Sequence, residues 1–418
     1  MAATKQATVY IHLKDGPVPA GILTMQIQGR YTSSEFAYGN KYLERPDAVS
    51  LDPVELPLAA PGKTIIYNTK ELFPIFNGIR DASPDNFGRY LLNKKYSHLG
   101  LDEFDYVAAS GYDRVGALAF GESPTSGVGI WNTETFVPPP GPEKYLDLAE
   151  IQKALESKDR PDNPEFQKLI ESGPSMGIGG ARPKGTVIWQ GSLYIAKFST
   201  SSDSYNICLA EYATMRMAKE CGINTPEVSI ATIEGKTIYL VERFDRIMSG
   251  DQKVKRRLPF HSALTMTGLH EFDFENFSYW KIVDAITKFS PNASRDRREM
   301  FKRMVFNIFC NNIDDHMRNH GFLYAGNGNW ELSPAYDIVP FPQSTETYAL
   351  GLQVGEEGKT ASISNALSAA KHFGLKTSEA ENIIEKVREV TKNWKDFFAD
   401  CGAKGQDMDR LSSCFRKL

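Results

Sequence analysis

The chain has 418 residues, with 48 lysines and arginines against 52 acidic residues, for a net charge of −4 at pH 7. That length exceeds what one core organises and points to two or three domains, while the mixed charge excludes a basic field for direct contact with nucleic acid. No apolar stretch approaches the roughly 20 residues that cross a bilayer, and five scattered cysteines without a C-x-x-C pair fit reduced core thiols, so a soluble, cytoplasmic protein without membrane contact is expected.

In chain order, residues 8–13 (TVYIHL) alternate like a strand, Asp15-Gly16 supplies a turn and residues 20–27 form the partner. A Ser-Pro pair at Ser83 starts a helix within this β-rich module. Residues 137–142 (VPPPGP) can neither continue a helix nor donate to a sheet, so they mark a boundary. Residues 145–158 have the spacing of an amphipathic helix. The stretch 172–184 (SGPSMGIGGARPK) is a glycine loop whose backbone N–H groups at Gly179 and Gly180 can approach phosphates, though it lacks the spacing of a Walker P-loop. Residues 186–190 and 193–198 read as strands joined by a Gly191-Ser192 turn. The second strand carries Lys197, where a kinase places the lysine that contacts the α- and β-phosphates.

Residues 203–222 form a glycine-terminated helix with Glu211 beside its apolar face, a candidate partner for Lys197. Residues 237–243 (TIYLVER) are a buried strand, placing backbone groups of Glu242 and Phe244 where a kinase hinge meets adenine. The basic run 253–257 reads as a solvated loop. The strongest helix covers 294–311: Phe301, Met304, Val305, Ile308 and Phe309 share one face, with Arg295, Arg297, Arg298, Lys302 and Arg303 on the other. Residues 348–361 are glycine-punctuated and expected to be mobile. Residues 378–398 form a closing helix with a Ser378–Glu381 capping box.

Between these helices lies NIDDHMRNHGFLYAGNGNWELSPAYD, residues 312–337. Asp314 is followed five residues later by Asn319, then by a hairpin turning at Gly-Asn-Gly-Asn, then by Asp337. Phosphoryl transfer needs these three groups: one carboxylate to accept the proton of an attacking hydroxyl, and an amide and a second carboxylate to hold Mg²⁺ against nucleotide phosphates. Asp315 competes with Asp314 but lies only four residues from Asn319 and fits the spacing less well.

The wording of these segments resembles the HipA-type toxin Ser/Thr kinases of bacterial toxin–antitoxin modules. The resemblance is carried by GGARPK at 179–184, LVERFDR at 240–246, RRLPFHSAL at 256–264, NIDDHMRNHGF at 312–322, LSPAYDIVP at 332–340 and VGEEGKTA at 354–361, with FNGIRDASPDNFGR at 76–89 in the first module. It implies an α+β chain with a bilobal protein-kinase-like fold. A small β-rich N-terminal subdomain (1–135) and a Pro-rich linker (136–144) would precede an N-lobe-like region with glycine loop and hinge (145–256). A helical C-terminal lobe (257–418) would carry the catalytic loop and the metal-binding Asp.

The resemblance further implies Asp314 as base, His316 near the nucleotide, Asn319 and Asp337 on Mg²⁺, Lys197 on the ATP phosphates, and Glu242 with Phe244 on adenine. It implies a protein substrate such as an aminoacyl-tRNA synthetase, and a helix-turn-helix antitoxin as partner. Members also silence themselves by phosphorylating a serine in the glycine loop. Here that position is Gly177, with Ser172 and Ser175 just upstream as substitutes. Two other readings stand beside this one: a small-molecule kinase of similar fold, and a catalytically silent partner of a helix-turn-helix repressor.

Overall fold

The computed structural model describes residues 2–28, 31–70, 73–129, 131, 145–156, 163–172, 182–200, 202–251, 253–343 and 348–415. The Pro-rich stretch at 137–142, Gly177, Gly179, Gly180 and Ser175 lie outside them. Contacts divide the chain into two units: Met1–Ala196 with Asp245–His261, and Lys197–Phe244 with Ser262–Leu418.

In the first unit, the alternating pattern of residues 8–13 belongs to a longer strand, β1 (Ala2–Leu13), which pairs antiparallel with β2 (Gly16–Gln28). With β3 (Tyr31–Tyr38), β4 (Ile66–Asn68) and β5 (Leu118–Gly121) they form a sheet of order β4-β3-β2-β1-β5. Val9, Ile11, Leu23, Met25 and Phe36 are buried in its core. The helix near Ser83 begins at Asn86, three residues later, because the Asp85 carboxylate accepts the Gly88 N–H and caps it. The amphipathic segment forms a helix at Leu148–Glu156. Strands β6 (Lys184–Trp189) and β7 (Ser192–Phe198) turn at Gln190 and Gly191, both with positive φ, one residue before the expected Gly191-Ser192 turn. The boundary between units falls inside β7.

The second chain passage completes the first unit. Asp245 accepts the Gly116 N–H at 2.8 Å, and the Arg246 guanidinium donates to the Gly116 carbonyl and the Asp245 carboxylate, both at 2.8 Å. Asp245 and Arg246 are both buried. Gly116 has φ of +75°, and a Cβ there would stand 3.2 Å from the Phe260 nitrogen, so glycine serves both the turn and the close approach.

The second unit contains the Ile207–Glu220 helix and an antiparallel pair, β8 (Val228–Ile233) and β9 (Lys236–Glu242). Further helices follow at Tyr279–Phe289, Ala293–Cys310 and Thr377–Thr391, with a β-hairpin of Gly321–Gly326 and Asn329–Leu332. The hairpin turns at Asn327 and Gly328, both left-handed, and sets Tyr324 opposite a buried Trp330.

Three expectations change. Arg303 is buried, not exposed, because its guanidinium donates to Glu299 at 3.1 Å and to the Ser333 carbonyl at 2.7 Å. The closing helix is two helices, Thr377–Thr391 and Trp394–Asp400, and the carboxylate that accepts its first N–H is Glu379, from Lys376 at 3.0 Å, not Glu381. Residues 348–361 pack instead of standing free: Leu350, Leu352 and Val354 are buried, and Ala349 bridges Thr360. A Cβ on Gly351 would lie 2.3 Å from the Asp315 carbonyl oxygen, so this segment is fitted against the loop that follows the Ala293–Cys310 helix.

Candidate active site

The site lies within the second unit and starts at Lys197, whose neighbours Ala196 and Phe198 are buried. The Ile207–Glu220 helix is capped by Asn206, which accepts the Leu209 N–H, and it presents Glu211 at 2% exposure. Lys197 Nζ is 2.6 Å from Glu211 Oε1 and 2.5 Å from Asp337 Oδ1. Burial alone would lower the Lys197 pKa. The carboxylates of Asp337 and Glu211 overcome this and hold it above the ordinary lysine value, so the ammonium stays charged.

Asp337 adopts φ of +60°, a left-handed conformation that is costly for a residue with a Cβ and persists where surroundings enforce it. The enforcing bonds lie on both sides. Arg303 holds the Ser333 carbonyl, the Ala335 N–H donates to Asn224 at 2.7 Å, and the Tyr336 hydroxyl donates to the Arg318 carbonyl at 2.8 Å. Beyond it, the Tyr205 hydroxyl donates to the Pro340 carbonyl, also at 2.8 Å.

The loop that carries Asp314 leaves the Ala293–Cys310 helix through Asn311, a left-handed cap with φ of +54° whose amide donates to the Phe341 carbonyl. A buried polar chain then fixes the loop. Asn312 donates to Asn307 and Asn307 to the Tyr279 hydroxyl, each at 3.2 Å. Tyr279 donates to Asp315 Oδ2 at 2.5 Å, and His320 Nε2 meets the same oxygen at 3.0 Å. Tyr279 is held as a neutral donor, since burial, reinforced by the Asp315 carboxylate, pushes its pKa well up. The two adjacent carboxylates are thereby separated in role: Asp315 is buried and bonded, while Asp314 is exposed. None of Tyr279, Asn307 or His320 carries a motif that announces this network in the sequence.

Partial desolvation raises the Asp314 pKa. The Asp337 and Asp315 carboxylates add to the rise and His316 opposes it. Asp314 and Asp337 are therefore close enough to feel each other's charge. Asn319 sits in a 3-10 turn, Met317–Asn319, and its side-chain nitrogen donates to the Asp314 carbonyl at 3.1 Å, so its oxygen is the end offered elsewhere. His316 caps that turn, with Nδ1 accepting the Arg318 N–H at 3.2 Å. Asn319 and Asp337 offer hard oxygen atoms. Among the described residues no group of three or more His, Cys, Asp or Glu is arranged to hold a metal. Two protein oxygens with phosphate and water completing the shell suit Mg²⁺.

At the end of β9, Glu242 donates its N–H to the Glu227 carbonyl at 2.9 Å, leaving its own carbonyl as the group it can offer. The Phe244 ring lies 5.7 Å from Tyr336. The structure thus brings together Lys197, Glu211 and Asp337 directly, and Asp314, His316 and Asn319 in one loop. Gly179 and Gly180 lie outside the described residues.

The model of the HipA-like C-terminal domain matches residues 176–394, more than half of the chain. The chain belongs to the HipA-like family. This HipA-like protein is 30% identical over 228 residues to a putative kinase of Haemophilus influenzae, a match covering 47% of this chain and 65% of that protein. It is 25% identical over 281 residues to the serine/threonine-protein kinase toxin HipA of Shewanella oneidensis, covering 61% and 60% respectively. These matches span less than two thirds of either relative. A putative kinase of Sinorhizobium fredii, Y4mE, is 23% identical over 92% of this chain and 95% of its own. Among solved structures, the Shewanella oneidensis MR-1 complex of HipA, HipB and operator DNA contains a chain matched with TM-score 0.69 at 16% identity, over 97% of this HipA-like chain and 94% of that one. The fold is accordingly mixed α/β and kinase-like. Among the described residues no helix is long and apolar enough to cross a membrane.

Proposed function

We propose that this HipA-like chain is an ATP- and Mg²⁺-dependent protein serine/threonine kinase that acts in the cytoplasm as the growth-restraining toxin of a toxin–antitoxin module. The observation that carries this reading is the ion pairing of Lys197 with both Glu211 and Asp337, at 2.6 and 2.5 Å. A buried lysine between a helix glutamate and a strained aspartate is the arrangement that positions nucleotide phosphates in kinases.

In the proposed reaction, Asp314 accepts the proton of a serine or threonine hydroxyl. The hydroxyl oxygen bonds to the γ-phosphorus while the bond to the β-phosphate oxygen breaks, releasing ADP. Lys197 holds the α- and β-phosphates and Glu211 fixes Lys197. The Glu242 carbonyl and Phe244 N–H take the adenine edge, and His316 stands beside the nucleotide. Mg²⁺, held by Asn319 and Asp337, would neutralise phosphate charge. Because Lys197 already bonds Asp337, ligand entry has to open that pair. Proton removal by Asp314 contributes on the order of 10²–10⁴-fold, and positioning and electrostatics supply the rest.

The partner proposed from the Shewanella complex is an antitoxin, with DNA reached through it. The acceptor is a protein, with an aminoacyl-tRNA synthetase the first to try. Incubation of the protein with labelled ATP and a cell lysate, followed by mass spectrometry, tests the reading. A phosphorylated serine or threonine on a lysate protein, absent with Asp314→Ala, supports it. Label appearing only on small metabolites would refute it. The same digest reports whether Ser172 or Ser175 acquires phosphate.

A further inference from the structure

Tyr239 lies on β9, is fully buried, and its hydroxyl has no hydrogen-bond partner among the described residues. An orphaned buried hydroxyl is destabilising, so what the residue contributes here has to come from its ring. Lys197 Nζ lies 5.8 Å from the ring centroid, within the range in which the negative face of an aromatic ring attracts a cation. Lys197 is itself nearly buried, with 12% of its side chain exposed, so that attraction is little screened by water.

We infer that Tyr239 is a positioning residue for Lys197, its ring face fixing the ammonium in place when Asp337 is drawn away. This rests on the proposed kinase reading. Of the two carboxylates on Lys197, Glu211 lies on a packed helix, whereas Asp337 is also the proposed metal ligand and cannot serve both fully. Once it turns to an ion, the ammonium retains one carboxylate and four flexible carbons. The ring supplies a second attraction that no ligand competes for, and it stands on a strand whose neighbours Ile238 and Leu240 are buried.

The test is calorimetric titration of Mg²⁺·ATP into the full chain and into Tyr239→Phe, Tyr239→Leu and Tyr239→Met, with melting temperatures alongside. Tyr239→Phe keeps the ring, so its Kd should stay within about 2-fold of the unaltered protein, with a melting temperature no lower, since it deletes the orphaned hydroxyl. Leu and Met fill the space without a ring face and should weaken binding on the order of 10-fold. Leu or Met binding as tightly as Tyr would overturn the inference. So would Phe binding as weakly as they do, and should Leu and Met fail to fold, 3,4,5-trifluorophenylalanine at position 239 takes their place: it keeps the ring's shape but drains its negative face, so it should weaken binding relative to Phe, and binding as tight as Phe overturns the inference. If the unaltered protein binds no Mg²⁺·ATP, the kinase reading itself fails, an outcome distinct from equal binding by all four.

Discussion

Asp314 and Asp315 are neighbours in sequence with opposite surroundings. Asp315 is spent on Tyr279 and His320, while Asp314 stands exposed with a raised pKa. A carboxyl whose folded pKa lies above its unfolded value favours the folded state below the unfolded value, near 3.8, and opposes it once pH passes the folded one. Asp314→Asn should therefore raise the melting temperature at pH 7, lose that advantage below about pH 3.8, and reduce the proposed phosphoryl transfer by roughly 10²–10⁴-fold while leaving the proposed nucleotide binding in place. If Asp314 is the base, the acid limb of the rate profile falls above pH 3.8, because the proton acceptor has to be ionised. Asp315→Ala should behave differently. It orphans two buried groups and costs about 1–3 kcal/mol in denaturant unfolding. Spacing to Asn319 favours Asp314 in the sequence alone, but the reason Asp315 is unsuitable lies in residues 36 positions before it and 5 after it, which no local pattern links.

The Ala293–Cys310 helix shows how far periodicity reads a helix and where it stops. Its apolar spacing places Phe301, Met304, Val305, Ile308 and Phe309 in the core, where they are found. Arg303 sits on the flank of that stripe, and whether a flank arginine is solvated depends on what the chain brings over it. Here that is the Ser333 carbonyl, a few residues before Asp337. Glu299 faces it with a lowered pKa: burial would raise it, but Arg303 and Lys302 pull it down. Arg303→Ala leaves Glu299 with Lys302 and the Asn224 N–H but strips the Ser333 carbonyl of its donor, and should destabilise the fold by about 1–3 kcal/mol by chemical denaturation, loosening the segment that strains Asp337. Residues 348–361 teach the converse. Their glycines suggest mobility, yet Gly351 is small because the Asp315 carbonyl lies against it. Gly351→Ala should displace the loop carrying Asp314, lowering both the melting temperature and the proposed phosphate transfer in the lysate assay.

At the scale of the molecule, strands and long helices were legible because each buries a periodic face, whereas the two contact units follow no single stretch of sequence. The chain passes between units at 196/197, 244/245 and 261/262. The first unit depends on its returning passage through Asp245, whose carboxylate neutralises the buried Arg246 and holds Gly116. Asp245→Ala takes a carboxylate from the buried Arg246 and the acceptor from the Gly116 N–H, and should cost about 3–5 kcal/mol, seen as an earlier transition in thermal unfolding. The interleaved route also imposes an order on biosynthesis. Domains emerging from the ribosome fold as their last segments appear. The first unit can close once His261 has left the exit tunnel, while the other waits for its C-terminal helices. A nascent chain can thus close its first unit before Asp337 has emerged, and a product stalled in between would be folded in part but unable to assemble the full set of side chains around Lys197.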